Sequence, residues 1–68
     1  MKNAINTKQA EQKGWVIMRL SGGAWTARNI GRTIAAERGE ENPAHCAVDK
    51  ALTRATILKR IAAIEAAR

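Results

Sequence analysis

The sequence predicts an all-α protein, a bundle of three to four short helices. Three observations lead there. The chain has 68 residues, enough for one small domain. Its apolar stock is helix-forming: 14 alanines, no Phe and no Tyr. Several stretches repeat apolar residues at spacings of three and four, separated by glycines or by short polar residues that cap helices.

The elements follow in order. Residues 1–7 are polar, with Asn3, Asn6 and Thr7, and are expected to be a disordered N-terminus preceding a single domain over 8–68. From Lys8 to Leu20 the composition favours helix, with Val16, Ile17 and Leu20 on one face. Gly14 weakens it by roughly 1 kcal/mol relative to Ala, and Ser21-Gly22-Gly23 ends it. Thr26 is placed to cap a second helix. Trp25 and Ile30 then stand at hydrophobic-staple spacing. Ala27, Ile30 and Ile34 form its inward face, Arg28 and Arg32 its outward face, and Gly39 its stop.

A third helix is expected from Asn42-Pro43, a cap followed by the residue favoured at the first helical position. Ala44, Ala47, Val48, Ala51, Leu52 and Ala55 make its apolar stripe. The C-terminal stripe of Ile57, Leu58, Ile61 and Ile64 is rotated from it. Two readings stand. One breaks the chain near Thr53 to Thr56 and runs a fourth helix to about Ala67. The other continues one helix from Pro43, with Ala44, Val48, Ala51, Ala55, Leu58 and Ala62 as a coiled-coil seam. The break is preferred. Strand is confined to at most a short pair near Ala24-Trp25 and Thr56–Leu58.

Composition narrows the functions. Twelve Lys and Arg against six Asp and Glu leave a formal charge of +6, which suits phosphate backbones or acidic proteins. The longest run of large apolar residues, Trp15 to Met18, is far below a membrane span. The polar N-terminus does not resemble a signal peptide. One Cys makes no intrachain disulfide, and a cytoplasmic protein is expected. One His, one Cys and scattered carboxylates offer no catalytic constellation, which argues against an enzyme. No cofactor is implied. His45 and Cys46 are adjacent and diverge on a helix, which disfavours zinc. Glu37, Glu40 and Glu41 lack the pattern of a calcium loop.

The stretch Leu20-Ser-Gly-Gly-Ala-Trp-Thr-Ala-Arg-Asn-Ile30-Gly-Arg-Thr-Ile34, with Val48-Asp-Lys-Ala-Leu52 after it, resembles the helix-turn-helix family of DNA-binding domains, particularly its winged variety. The likeness spans Trp15 to Ile61. It departs from the pattern at Glu40 and Glu41, where an apolar residue is usual, and in having no strand pair after Ile57 to form a wing. The resemblance implies a recognition helix beginning at Pro43, with Asn42, His45, Asp49 and Lys50 on base edges and Cys46 beside them. It implies phosphate contacts from Arg28, Arg32, Thr53, Arg54, Lys59 and Arg60.

The function expected is a small DNA-binding transcriptional regulator, acting as a homodimer on duplex DNA. RNA is indistinguishable by composition. The alternative is a helical adaptor or inhibitor that turns its basic face on an acidic protein partner. The DNA reading requires Arg28, Arg32, His45 and Lys50 to share one exposed face, with Glu40 and Glu41 off it. Scatter among them favours the adaptor. Of the tryptophans, Trp25 has the staple to occupy it and Trp15 is the freer.

Overall fold

A computed structural model describes residues 5–68. The chain is α+β, not all-α. In order it forms α1 (Thr7–Gln12), β1 (Trp15–Arg19), β2 (Trp25–Asn29), α2 (Ile30–Glu37), a 3-10 turn (Pro43–His45), β3 (Ala47–Ala51) and α3 (Arg54–Ala67). The strands make one antiparallel sheet in the order β1-β2-β3. A multi-stranded sheet at the centre replaces the expected helical bundle.

The correction begins at Gly14. Asn6 caps α1 in a reciprocal box: its side chain accepts from the Gln9 amide at 2.7 Å, and its own amide donates to Gln9 Oε1 at 3.0 Å. Residues 5–7, expected to be disordered, are instead in place: Ile5 packs against the core, Asn6 caps α1 and Thr7 begins it; residues 1–4 lie outside the described residues. α1 stops at Gln12 because Gly14 takes φ +96°, where a Cβ would also stand 3.2 Å from Asn29 Oδ1. Trp15 to Met18 then alternate buried and more exposed, the period of a strand rather than a helix. Trp, Val and Ile are strand formers when a partner strand is at hand.

That partner arrives through Gly22 and Gly23, both at φ +91°. They close a hairpin in which Leu20 N donates to the Ala24 carbonyl at 2.6 Å. Gly22 and Gly23, expected as a helix stop, form a hairpin turn instead, because the runs on either side of them pair as strands. Thr26 lies inside β2 and its hydroxyl donates to the Val48 carbonyl at 2.7 Å. The residue that caps α2 is Asn29, three positions later, accepting from the Arg32 amide at 3.2 Å. Trp25 is thus too far from the cap for a staple. Asn29 also donates from its side chain to the Lys13 carbonyl at 3.0 Å and from its backbone to Cys46 at 2.7 Å. Buried Asn29, at the end of β2, thus bonds the residue after α1, the first turn of α2 and the residue before β3.

Asn42 and Pro43 do start a helical turn, with Asn42 Oδ1 accepting from Ala44 N at 2.9 Å. It lasts three residues. The chain then enters β3, where Val48 is buried opposite Ala27. No recognition helix begins at Pro43. The preferred break near Thr53 to Thr56 holds: Thr53 caps α3 by accepting from Thr56 N at 3.2 Å, and the helix runs to Ala67. Thr56–Leu58 is helical, not strand. Gly39, at φ +75°, follows the last turn of α2 as expected.

α1 packs on β1, α3 packs on β2 and β3, and the two helices meet. They cover one face of the sheet. Between them lie Ala10, Trp15, Ala27, Val48, Ile57 and Ile61, with Ile17, Trp25, Leu58 and Ile64 at the margin. Trp15 is 2% exposed and central to this core, which reverses the expected roles of the two tryptophans. α2 is turned inside out relative to its sequence reading. Ile30 and Ile34 are 48% and 46% exposed, whereas Arg32 is buried.

Candidate nucleic-acid interface

The second face of the sheet carries no helix, and its side chains follow from register. Trp15, Ile17, Trp25, Ala27, Asn29 and Val48 point to the core side, so their neighbours point away. Val16, Arg28 and Ala47 form one row across the three strands. Met18 and Thr26 form the next. There the register shifts, because Trp25 pairs with Ala51 while Ala27 pairs with Val48. The bulge leaves two β3 residues, Asp49 and Lys50, opposite Thr26, and both are exposed. An open depression of about 470 Å³ lies on this face, lined by Met18, Thr26, Arg28, Asp49 and Lys50 among others. A second, of about 500 Å³, adjoins it at Arg28 and Ala47 and extends to Thr33, Ala36, Glu37 and Pro43, so a carboxylate also borders Arg28.

The ten residues expected to touch DNA separate into groups. Arg28, Asp49 and Lys50 meet on the open sheet face. Arg54 begins α3 at the hairpin end, its guanidinium carbon 5.8 Å from the centre of the Trp25 ring. Thr53 is the α3 cap, and its hydroxyl also bonds that of Thr56 at 2.9 Å. Lys59 and Arg60 are exposed along α3. Asn42 is spent on the 3-10 turn. His45 is half-buried, with Nδ1 3.5 Å from Glu41 Oε2.

Arg32 is not available to a phosphate. Its Nη1 lies 2.6 Å from Glu65 Oε2, and its guanidinium carbon stands 5.5 Å from the centre of the Trp15 ring. The four residues required to share one face therefore do not: Arg28 and Lys50 do, Arg32 and His45 do not. Cys46 is buried behind Arg32, its thiol donating to the Arg32 carbonyl at 3.2 Å.

Charge is sorted along the sheet. At one end Trp15 pairs with Asn29 and the chain turns into α2. Five of the six carboxylates gather toward this end: Glu11 just before β1, Glu37, Glu40 and Glu41 after α2, and Glu65 near the end of α3. Glu65 is fixed by Arg32 and by the Trp15 indole N–H, which donates at 3.0 Å. The Arg32 hydrogen bond outweighs the effect of burial and holds the Glu65 carboxyl below its ordinary range. Glu41 receives Arg68 at 2.7 Å and the Asn42 amide at 3.2 Å. Desolvation pushes the Glu41 carboxyl up, but Arg68, the Asn42 amide and His45 together bring it below its ordinary range. Lys13, Arg32, Arg38 and Arg68 lie among these carboxylates, while Arg19, Lys50 and Arg54 lie toward the hairpin end, with Asp49 as the acid there. Of the twelve Lys and Arg, only Arg32 and Arg68 make ion pairs among the described residues.

Val16, Met18, Thr26 and Arg19 were not among the residues singled out for contact. The signal that would have found them is Gly22-Gly23 between Trp15–Arg19 and Trp25–Asn29, read as a hairpin. Among the described residues, no three His, Cys, Asp or Glu side chains gather to hold a metal ion, and no helix is long and apolar enough to cross a membrane. Comparison with protein-family models, curated proteins and solved structures finds no match.

Proposed function

We propose that this chain is a small basic protein that binds duplex DNA in the cytoplasm, as a regulator of transcription, laying the uncovered sheet face and the hairpin end on the nucleic acid. The observation that carries this reading is the set of unpaired cations on the uncovered face and at the hairpin end. Carboxylates are drawn into pairs with Arg32, Arg68 and His45 at one end. Arg19, Arg28, Lys50, Arg54, Lys59 and Arg60 are left without an ion-pair partner among the described residues. Arg28 and Lys50 share the uncovered face and Arg19 and Arg54 border it at the hairpin end, while Lys59 and Arg60 stand on α3, over the other face; unpaired cations grouped on a surface are the electrostatic footprint of phosphate binding. Sheets are known to enter DNA grooves in place of helices. Glu40 and Glu41 lie off the open face, as the DNA reading requires, although the face is a sheet and not a helix. A monomer of this size reaches few base pairs, so two copies acting together belong to the proposal.

The second reading, an adaptor for an acidic protein partner, is favoured by two observations: Arg32 and His45 stand off the face that Arg28 and Lys50 share, and apolar side chains are exposed. Ile30, Ile34 and Leu52 are exposed, Leu52 by 88%, and exposed apolar side chains are more at home in a protein interface.

The test is fluorescence anisotropy of the full chain with a random 20-base-pair duplex, and with an RNA duplex of matching length, at two salt concentrations beside a sizing column. The DNA reading expects binding that weakens steeply as salt rises. Absence of binding to either duplex at low salt would overturn it in favour of the adaptor. Preference for the RNA duplex would move the same surface to RNA.

A further inference from the structure

We infer that Arg28 is the residue through which the sheet reads base sequence, and that it reads guanine from the major groove. This rests on the DNA-binding reading above and goes further by naming the contact. Arg28 sits on the central strand of the uncovered face. Its cross-strand neighbours are Val16 on one side and Ala47 on the other. Both are short and apolar, so neither offers the guanidinium a hydrogen bond. Arg28 makes no ion pair and no side-chain hydrogen bond among the described residues, in contrast to Arg32 and Arg68, which are both engaged. Five N–H donors in a rigid fork thus face solvent from the middle of an open surface. That fork matches the O6 and N7 acceptors of guanine, the pairing by which arginine most often specifies a base.

The surroundings fit a groove. Strands at about 4.8 Å spacing let β2 and one neighbour enter a major groove about 12 Å wide, which admits a two-stranded ribbon, while the third strand lies at its rim. Successive rows on one face lie about 6.8 Å apart along a strand, close to two base-pair steps of about 3.4 Å. One row holds Arg28. The next holds Thr26, whose hydroxyl is already committed to the Val48 carbonyl, and the bulge residues Asp49 and Lys50. A carboxylate and an ammonium beside the arginine supply an acceptor for cytosine N4 and a second donor. Val16 and Met18, exposed on β1, present the apolar surface that a thymine methyl takes.

The experiment selects preferred duplexes from a random library with the full chain. It then measures anisotropy on the selected duplex and on copies in which each guanine in turn is 7-deazaguanine, which lacks the N7 acceptor. The wild type should lose about tenfold in affinity at one guanine. Arg28→Ala should lose at least as much on the selected duplex, little on random duplex, and should be indifferent to 7-deazaguanine at that position. Arg19→Ala, at the hairpin end, should weaken both duplexes alike. Thermal melts of the variants establish that the exposed Arg28 is replaced without loss of fold. Wild-type selectivity in Arg28→Ala, or an unchanged response to 7-deazaguanine, overturns the inference. So does binding to random duplex from which no preferred sequence can be selected, an outcome that leaves the DNA reading standing. Failure to bind any duplex at low salt removes the DNA reading itself.

Discussion

Arg32 and Glu65 are joined by an ion pair of 2.6 Å that fastens the buried side of α2 to the end of α3. The same Glu65 oxygen takes the Trp15 indole N–H at 3.0 Å, so one carboxylate connects α2, α3 and β1. This contact explains why α2 turns Ile30 and Ile34 outward. With Arg32 paired inward, residues about half a helical turn away have only solvent to face.

The pair should be costly to break on one side. Glu65→Gln leaves a guanidinium that is 10% exposed without a counter-charge, and it should lower stability by about 3 kcal/mol. Arg32→Met combined with Glu65→Leu should recover much of that loss, because the uncompensated charge goes with its partner. Urea denaturation of the two variants checks this. Equal losses in both would mean that the charge pairing contributes little.

Acid should weaken the fold through the same groups. The Glu65 and Glu41 carboxyls are both held below their ordinary range. A carboxyl depressed in the folded state stabilises fully above its unfolded pKa and loses that contribution as pH falls through the folded value. Urea midpoints should therefore be flat near neutrality and decline from the ordinary carboxylate range downward. In Glu65→Gln the decline should be shallower. A decline identical to that of wild type would remove Glu65 from the account.

The two tryptophans should differ in the order opposite to the sequence expectation. Trp15→Ala removes a side chain that is buried at the centre of the core and hydrogen-bonded to Glu65. It should cost about 3–5 kcal/mol. Trp25 is half-buried beneath Arg54, and its replacement should cost clearly less. Chemical denaturation ranks them, and a larger loss at Trp25 would contradict the placement of the core.

Isoleucines should separate by position rather than by type. Ile61→Ala empties a fully buried site and should cost about 2–5 kcal/mol. Ile34→Ala lies on the outward side of α2 and should change stability by under about 1 kcal/mol. Melts of both variants at two protein concentrations check this. A concentration-dependent loss at Ile34 would show that a second copy covers that face.

Several local features were legible because they depend on neighbours in the chain. Thr53 as the start of a helix to Ala67, the stripe of Ile57, Leu58, Ile61 and Ile64, the stop at Gly39 and the helical start at Asn42-Pro43, though not the helix expected to follow it, are each set within a few residues, by capping or by helical spacing. The excess of cations was equally plain. Of the residues on the open face, Arg28 was expected to meet phosphate from the second helix and Asp49 and Lys50 to meet bases from a third; all three stand on strands instead.

The rest was decided at a distance. Trp15-Val-Ile-Met is too short to declare a period, and alanine, arginine and glutamate around it favour helix locally. The run becomes a strand because Trp15 pairs with Asn29 and bonds Glu65, fifty positions away along the chain. Ala47–Ala51 becomes a strand because β2 offers it a free edge and Ala27 a partner for Val48. Arg32 points inward because Glu65 is there to neutralise it. Capping and spacing act over one or two turns, and the sequence alone determined the elements that rest on them. Strand pairing and buried charge compensation act between segments far apart in the chain, so only the tertiary structure decided the sheet, the core tryptophan and the face on which Arg28 stands free.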